Sequence, residues 1–209
     1  LAVSVGYLDL LEEHPAVAKD KILSENVAKI KRAHARVQER LDEFLSKAAL
    51  ELGRIELKPR RLNLLKLVEE AVQSCSSLAE AKQQQLLLQA SAASIWLKAD
   101  YHRLFEVVEN LLSNAIKYSA PGQSIEIRVE EAAAGVRFSV QDQGPGFTPS
   151  DKEKAFAYFQ RLSARPTGGE ASVGVGLAVS KQIVELHQGR IWLESEVGQG
   201  TTFIVELPA

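Results

Sequence analysis

The chain has no methionine, one cysteine (Cys75) and few aromatic residues, 6% of its 209 positions. A single cysteine excludes an internal disulfide framework and fits a reducing compartment. No apolar run approaches the roughly 20 residues needed to cross a bilayer, and no signal peptide is visible. Net charge is scarce too. The 25 Lys and Arg against 27 Asp and Glu leave −2 at pH 7, so electrostatics give no case for nucleic acid as a partner. An apolar pattern already under way at Leu1, with no Met, reads as a piece of a longer product, and these exclusions concern this piece. The expectation is a cytoplasmic chain, whether or not its parent is membrane-anchored. With 45% hydrophobic residues it has room for one or two domains with a buried core.

What is present is organised around residues 104–118. At about 100° per residue this stretch is a two-faced helix. Leu104, Val108, Leu111, Leu112 and Ala115 gather on one side; Glu106, Asn110, Ser113, Asn114 and Lys117 gather on the other. Asn is a mediocre helix former because its amide competes for backbone groups. Two of them one turn apart fit either a plain solvated face or a set of oxygen ligands for a hard cation such as Mg²⁺. Lys117, one turn further on, would face the phosphate charge such a cation carries.

Before this helix, residues 1–13 read as the later part of a helix stopped at His14-Pro15. A longer helix runs from about Lys19 to Ile55. Its stripe of Val27, Ile30, His34, Val37, Leu41, Phe44 and Ala48 alternates steps of three and four, as in a bundle or coiled coil. Two helices cannot enclose that stripe, so a four-helix bundle formed by a homodimer is one solution. A hairpin docked on the rest of the chain is the other. His34 on the stripe reads as a packed residue. Gly53 and Pro59 mark the way out, followed by a helix over residues 62–83 and short strands near Leu86–Leu88 and Ile95–Leu97. After the organising helix come alternating strands through Ile125–Val129 and Val136–Val140. A helix from about Gly176 to His187 follows, then strands over Arg190–Glu194 and Thr202–Leu207. The pattern predicts an α+β chain: a helical hairpin, then helices covering one face of a mixed sheet.

The glycines fall at strand ends and helix starts. Asp142-Gln143-Gly144-Pro145-Gly146 follows a strand, where the Asp can accept from an exocyclic amine such as adenine's and the glycines admit a ligand. The same pattern describes many tight turns. Gly174-Val175-Gly176-Leu177 opens a helix, whose free N–H groups suit phosphate oxygens as readily as the segment suits a plain connector. The 27 residues between Gly146 and Gly174 show no regular element beyond the neighbourhood of Phe156 and Phe159, which reads as a functional loop or a disordered one. Gly198-Gln199-Gly200-Thr201-Thr202 joins two strands as a hairpin, from which Thr201 could reach a buried carboxylate or a base.

Taken in order, Asn-x-x-x-Asn-x-x-Lys-Tyr, Asp-x-Gly-x-Gly, Phe-x-x-Phe, Gly-x-Gly-Leu and Gly-x-Gly-Thr resemble the N, G1, F, G2 and G3 boxes of the sensor histidine kinases, within the wider GHKL class. The resemblance covers essentially the whole chain and implies a truncated dimerisation and phosphotransfer hairpin over residues 1–58. It further implies an α/β sandwich of the Bergerat type over residues 59–209 that binds ATP and Mg²⁺. By the same resemblance Asn114 would ligate Mg²⁺ with Asn110 beside it, Lys117 would contact phosphate, and Tyr118 would line the adenine pocket. Asp142 would bind the adenine amine between Gly144 and Gly146. Gly174, Gly176 and Leu177 would bound the phosphates, Phe159 would complete the set, and Thr201 would support Asp142. A response-regulator receiver domain is the implied partner.

The chain departs from the family in lacking the His-Glu-x-x-x-Pro motif of the phosphoacceptor. Gly6-Tyr7-Leu8-Asp9-Leu10-Leu11 matches the family's continuation after that motif, so the acceptor is expected before Leu1. His14, His34, His102 and His187 are then structural or surface residues. An ATPase of the same class would place a general-base Glu where Asn110 stands, and Asn cannot accept a proton at neutral pH. Glu109 lies about 100° around the helix. A kinase core is therefore favoured over an ATPase, and the intact boxes favour it over a degenerate nucleotide-binding module.

Overall fold

Two strands of strict alternation form the middle of the sheet. In the computed structural model, β4 (Ser124–Ala132) buries Ile125, Ile127 and Val129, and β5 (Gly135–Asp142) buries Val136, Phe138 and Val140. Branched and aromatic side chains favour this pleated geometry, with every second residue on the core face. The structure describes residues 20, 22–33, 37, 56–133, 135–158, 160, 163–164, 166–167 and 174–208. The chain divides into two units, Leu1–Leu52 and Gly53–Ala209, where the sequence places the division after residue 58.

In the first unit the described helix, α1, covers residues 22–33, and Val37 is helical as well. Asp20 caps it by accepting from Ile22 N at 2.9 Å and Leu23 N at 3.2 Å, so it starts just after the expected Lys19. Ile30 and Val37 on the apolar stripe are 54% and 57% exposed, whereas Val27 is buried. The helix expected over residues 1–13, its stop at Pro15, and His34, Leu41, Phe44 and Ala48 lie outside the described residues.

The second unit runs β1 (Arg60–Asn63), α2 (Leu64–Ala81), β2 (Gln85–Ala90), β3 (Trp96–Ala99), α3 (Tyr101–Tyr118), β4, β5, α4 (Pro149–Lys154), α5 (Gly176–Leu186), β6 (Arg190–Ser195) and β7 (Thr201–Leu207). Strands β2-β4-β5-β7-β6 make one sheet, with β2 parallel to β4 and every other pair antiparallel. Helices α2, α3 and α5 lie against β2, β5 and β6 respectively, covering the face that Phe138, Phe203, Val205 and Leu207 also bury. This is the expected arrangement of helices over a mixed sheet.

Two elements differ from expectation. Residues 60–63 pair antiparallel with β3 as a separate ribbon, so α2 begins at Leu64 rather than 62. Asn63 stops the strand and caps the helix, its Oδ1 accepting from Leu65 N at 3.1 Å. A short helix, α4, occupies part of the stretch after Gly146. Thr148 caps it, with Pro149 in its first turn and Asp151 N donating to Thr148 Oγ1 at 3.1 Å.

Candidate functional site

Strand pairing sets the base of the site. Asp142, the last residue of β5, stands opposite Thr201, the first of β7. Gly200 approaches with φ +83°, and a Cβ there would lie 2.1 Å from the Asp142 carbonyl oxygen, so only glycine allows the strands to meet this way. The Asp142 side chain is buried. Its Oδ1 accepts from Gly144 N at 2.8 Å and Thr201 N at 3.2 Å, and Oδ2 takes no hydrogen bond among the described residues. Burial pushes the carboxyl up to about 6 from its ordinary 3.8, against the pull of those two N–H donors.

Thr201 reaches the carboxylate, but through its backbone. Its hydroxyl lies 3.1 Å from Ser195 Oγ instead. Ser195, which the glycine pattern does not reveal, also donates to Gly200 O at 2.7 Å and accepts from Phe147 N at 2.9 Å. Gly198 N donates to Pro145 O at 2.8 Å. The loop carrying Gly144 and Gly146 is thereby fastened to the hairpin carrying Gly200.

Helix α3 forms the second wall, amphipathic as expected, with Val107 and Ile116 joining the predicted buried set. Asn110 is engaged with α5: its Nδ2 donates to Ser180 Oγ at 2.8 Å, and a Cβ on Gly176 would lie 2.2 Å from its Oδ1. Asn114 follows one turn on, and Lys117 and Tyr118 end the helix; all three are half-buried. The Tyr118 carbonyl oxygen would lie 3.1 Å from a Cβ on Gly144, and Ser119 Oγ accepts from Gln143 N at 3.3 Å. The end of α3 thus borders the Asp142 loop. Lys82 Nζ donates to Ile116 O and Lys117 O at 3.0 and 3.2 Å, and Thr167 N donates to Lys117 O at 3.0 Å. These terminal carbonyls lack intrahelical partners, and sequence reading missed the residues that satisfy them.

Helix α5 opens the third side. Gly174 precedes it with φ +74°, Leu177 stands half-buried in its first turn, and its N-cap Val175 supplies no side-chain hydrogen bond. Its first N–H groups can therefore serve an anion. Phe159 lies outside the described residues. Glu109 faces the other way, accepting from Ser74 Oγ on α2.

A helix bearing two Asn, a buried carboxylate at a strand end and an uncapped, glycine-led helix thus meet at one edge of an α/β sandwich built on a five-stranded sheet. Residues 99–209 match the family described as histidine kinase-, DNA gyrase B- and HSP90-like ATPase (HATPase_c). The chain belongs to this family, as a sensor histidine kinase catalytic ATP-binding domain. It is 34% identical over 172 residues to the circadian input-output histidine kinase CikA of Synechococcus elongatus, covering 81% of this chain and 23% of that protein. To the adaptive-response sensory kinase SasA of the same organism it is 35% identical over 155 residues, 74% of this chain and 40% of that one. The chain thus spans less than half the length of either relative. Full-length ShkA, solved in complex with AMPPNP, superposes with a TM-score of 0.79 at 25% identity over 97% of this chain and 42% of that one.

Proposed function

We propose that this chain is the ATP-binding core of a two-component histidine kinase, which moves the γ-phosphoryl group of ATP to a histidine and thence to an aspartate of a response-regulator receiver domain. The observation that carries this reading is Asp142. A desolvated carboxylate held by two N–H groups on Oδ1 is oriented to accept from the adenine amine on Oδ2. Gly144, Gly146 and Tyr118 would shape the base pocket, with Phe159 beside it.

The donor chemistry of the other wall fits Mg²⁺. The described residues hold no cluster of His, Cys, Asp and Glu able to bind a metal alone, so the ion would arrive with the nucleotide and take the neutral oxygen of Asn114. Mg²⁺ would supply charge neutralisation at the phosphates. Asn110 would hold the start of α5 beside it, Lys117 would sit near the phosphates, and the N–H groups behind Gly174, Gly176 and Leu177 would cradle them. Glu109, turned toward Ser74, is not placed to activate water, which favours transfer over hydrolysis.

Residues 1–58 would form most of the dimerising hairpin, without its phosphoacceptor, and residues 59–209 the catalytic domain. None of the four His of this chain would be the acceptor, since none is followed by an acidic residue. The test is calorimetry with Mg-ATP on the whole chain and on Asp142→Asn, which turns a donor toward the adenine amine. Leaving that group unsatisfied costs about 1–3 kcal/mol, so affinity should fall roughly ten- to a hundred-fold. Unchanged affinity in the variant would remove the adenine assignment.

A further inference from the structure

The N-terminus of α3 is completed by a residue from another helix. Asp100 is its N-cap, accepting from Arg103 N at 3.2 Å on Oδ1. In a capping box the residue at N3 would reach back to the backbone N–H of the cap. Here N3 is Arg103, which carries no acceptor and pairs with Glu106 at 3.0 Å. The Asp100 N–H is buried and donates instead to His187 Nε2 at 2.9 Å. On its other nitrogen, His187 Nδ1 lies 2.8 Å from the Ile183 carbonyl oxygen. A carbonyl only accepts, so Nδ1 must carry the proton and Nε2 the lone pair. The remaining oxygen of Asp100 accepts from Lys58 N at 2.9 Å. One residue therefore joins the chain entering β1, the start of α3 and the end of α5.

The antiparallel pair α3 and α5 has a second fastening at the other end of α5, where Asn110 meets Ser180 and Gly176. Packing of Ala178, Val179, Ile183 and Val184 holds this eleven-residue helix in place, and a hydrogen-bonded fastening at each end sets its tilt.

We propose that His187 is a positioning residue: by supplying the missing half of the α3 cap it holds α5 so that Gly176 stays against Asn110. Its effect on nucleotide rests on the kinase reading above; its effect on α5 does not. The experiment compares three variants of the whole chain. His187→Phe keeps the ring and removes both nitrogens. His187→Gln keeps an acceptor long enough to reach Asp100. His187→Asn retains a donor for Ile183 but is too short for Asp100, and it replaces the Phe variant if that one does not fold.

Amide hydrogen exchange and ATP affinity are read on each. The expected result is faster exchange over residues 179–183 in Phe and Asn, unchanged protection in β5 and β7, and ATP affinity down roughly tenfold, the size of one lost buried hydrogen bond. Gln should restore both to near wild type. Wild-type exchange at 179–183 in Phe or Asn, loosening that spreads equally into β5 and β7, or a Gln variant no better than Asn overturns the proposal. Should the unaltered chain bind no ATP, the nucleotide reading fails by itself, and the exchange pattern still decides what His187 does.

Discussion

Asp142 concentrates the conflict between fold and function in one side chain. Its carboxyl rises from 3.8 to about 6 through burial, and at 1.36 kcal/mol per unit of pKa that costs the fold about 3 kcal/mol when ionised. A raised acid binds its proton more tightly when folded. The cost is therefore absent below the unfolded value near 3.8, grows as pH rises, and is complete above about 6. Asp142→Asn can keep its amide oxygen on Gly144 N and Thr201 N without the charge. Chemical denaturation without nucleotide should find the variant more stable by up to about 3 kcal/mol at pH 8, with the advantage shrinking toward pH 4. A gain that does not change with pH, or no gain, would contradict the desolvated carboxylate. ATP affinity of the parent should also weaken as pH drops through about 6, because the protonated acid no longer offers two acceptor oxygens.

At the scale of elements, the contact between α3 and α5 depends on Gly176. A Cβ there would stand 2.2 Å from Asn110 Oδ1, and Asn110 cannot swing aside without giving up Ser180 Oγ. Gly176→Ala should cost about 1–2 kcal/mol in urea unfolding. In an Asn110→Ala background that cost should largely vanish, giving a coupling of about 1–2 kcal/mol; additive losses would mean the two residues do not meet. Elements with a strong period are legible in the sequence: α3 and the alternating strands β4 and β5 follow from residue spacing alone. The ribbon strand β1 is not, because Arg60, Arg61 and Leu62 show no alternating apolar face and are held by pairing with β3. The helix α4 buries none of its six residues, so it has no periodic signature, only its cap. The same limit applies to the site. Asp142 and its glycines announce themselves by local spacing, whereas Ser180, Ser195 and His187 take their roles from partners remote in sequence.

At the scale of the whole molecule two outcomes separate a kinase core from a plain nucleotide-binding domain. Ile30 and Val37, both more than half exposed on the apolar stripe, should seal a dimer. Replacing both with Asp would put charge on that seam, and sedimentation should move from dimer to monomer; a variant that sediments like its parent would refute the bundle. The second outcome concerns the phosphoryl acceptor. His187 is buried with both ring nitrogens occupied by Asp100 N and Ile183 O, so it cannot attack phosphorus. His14, His34 and His102 are followed by Pro15, Ala35 and Arg103, none of which can orient an imidazole as a neighbouring carboxylate does. Incubated with γ-labelled ATP and Mg²⁺, this chain should bind nucleotide yet remain unlabelled. The same chain preceded by a helix containing His-Glu-x-x-x-Pro should acquire label that is lost in acid and kept in alkali, as a phosphoramidate requires, and replacing that His with Gln should abolish it. Label on any of the four His already present would show that the acceptor lies within the chain, and label on none of the extended forms would reduce the protein to a nucleotide-responsive module.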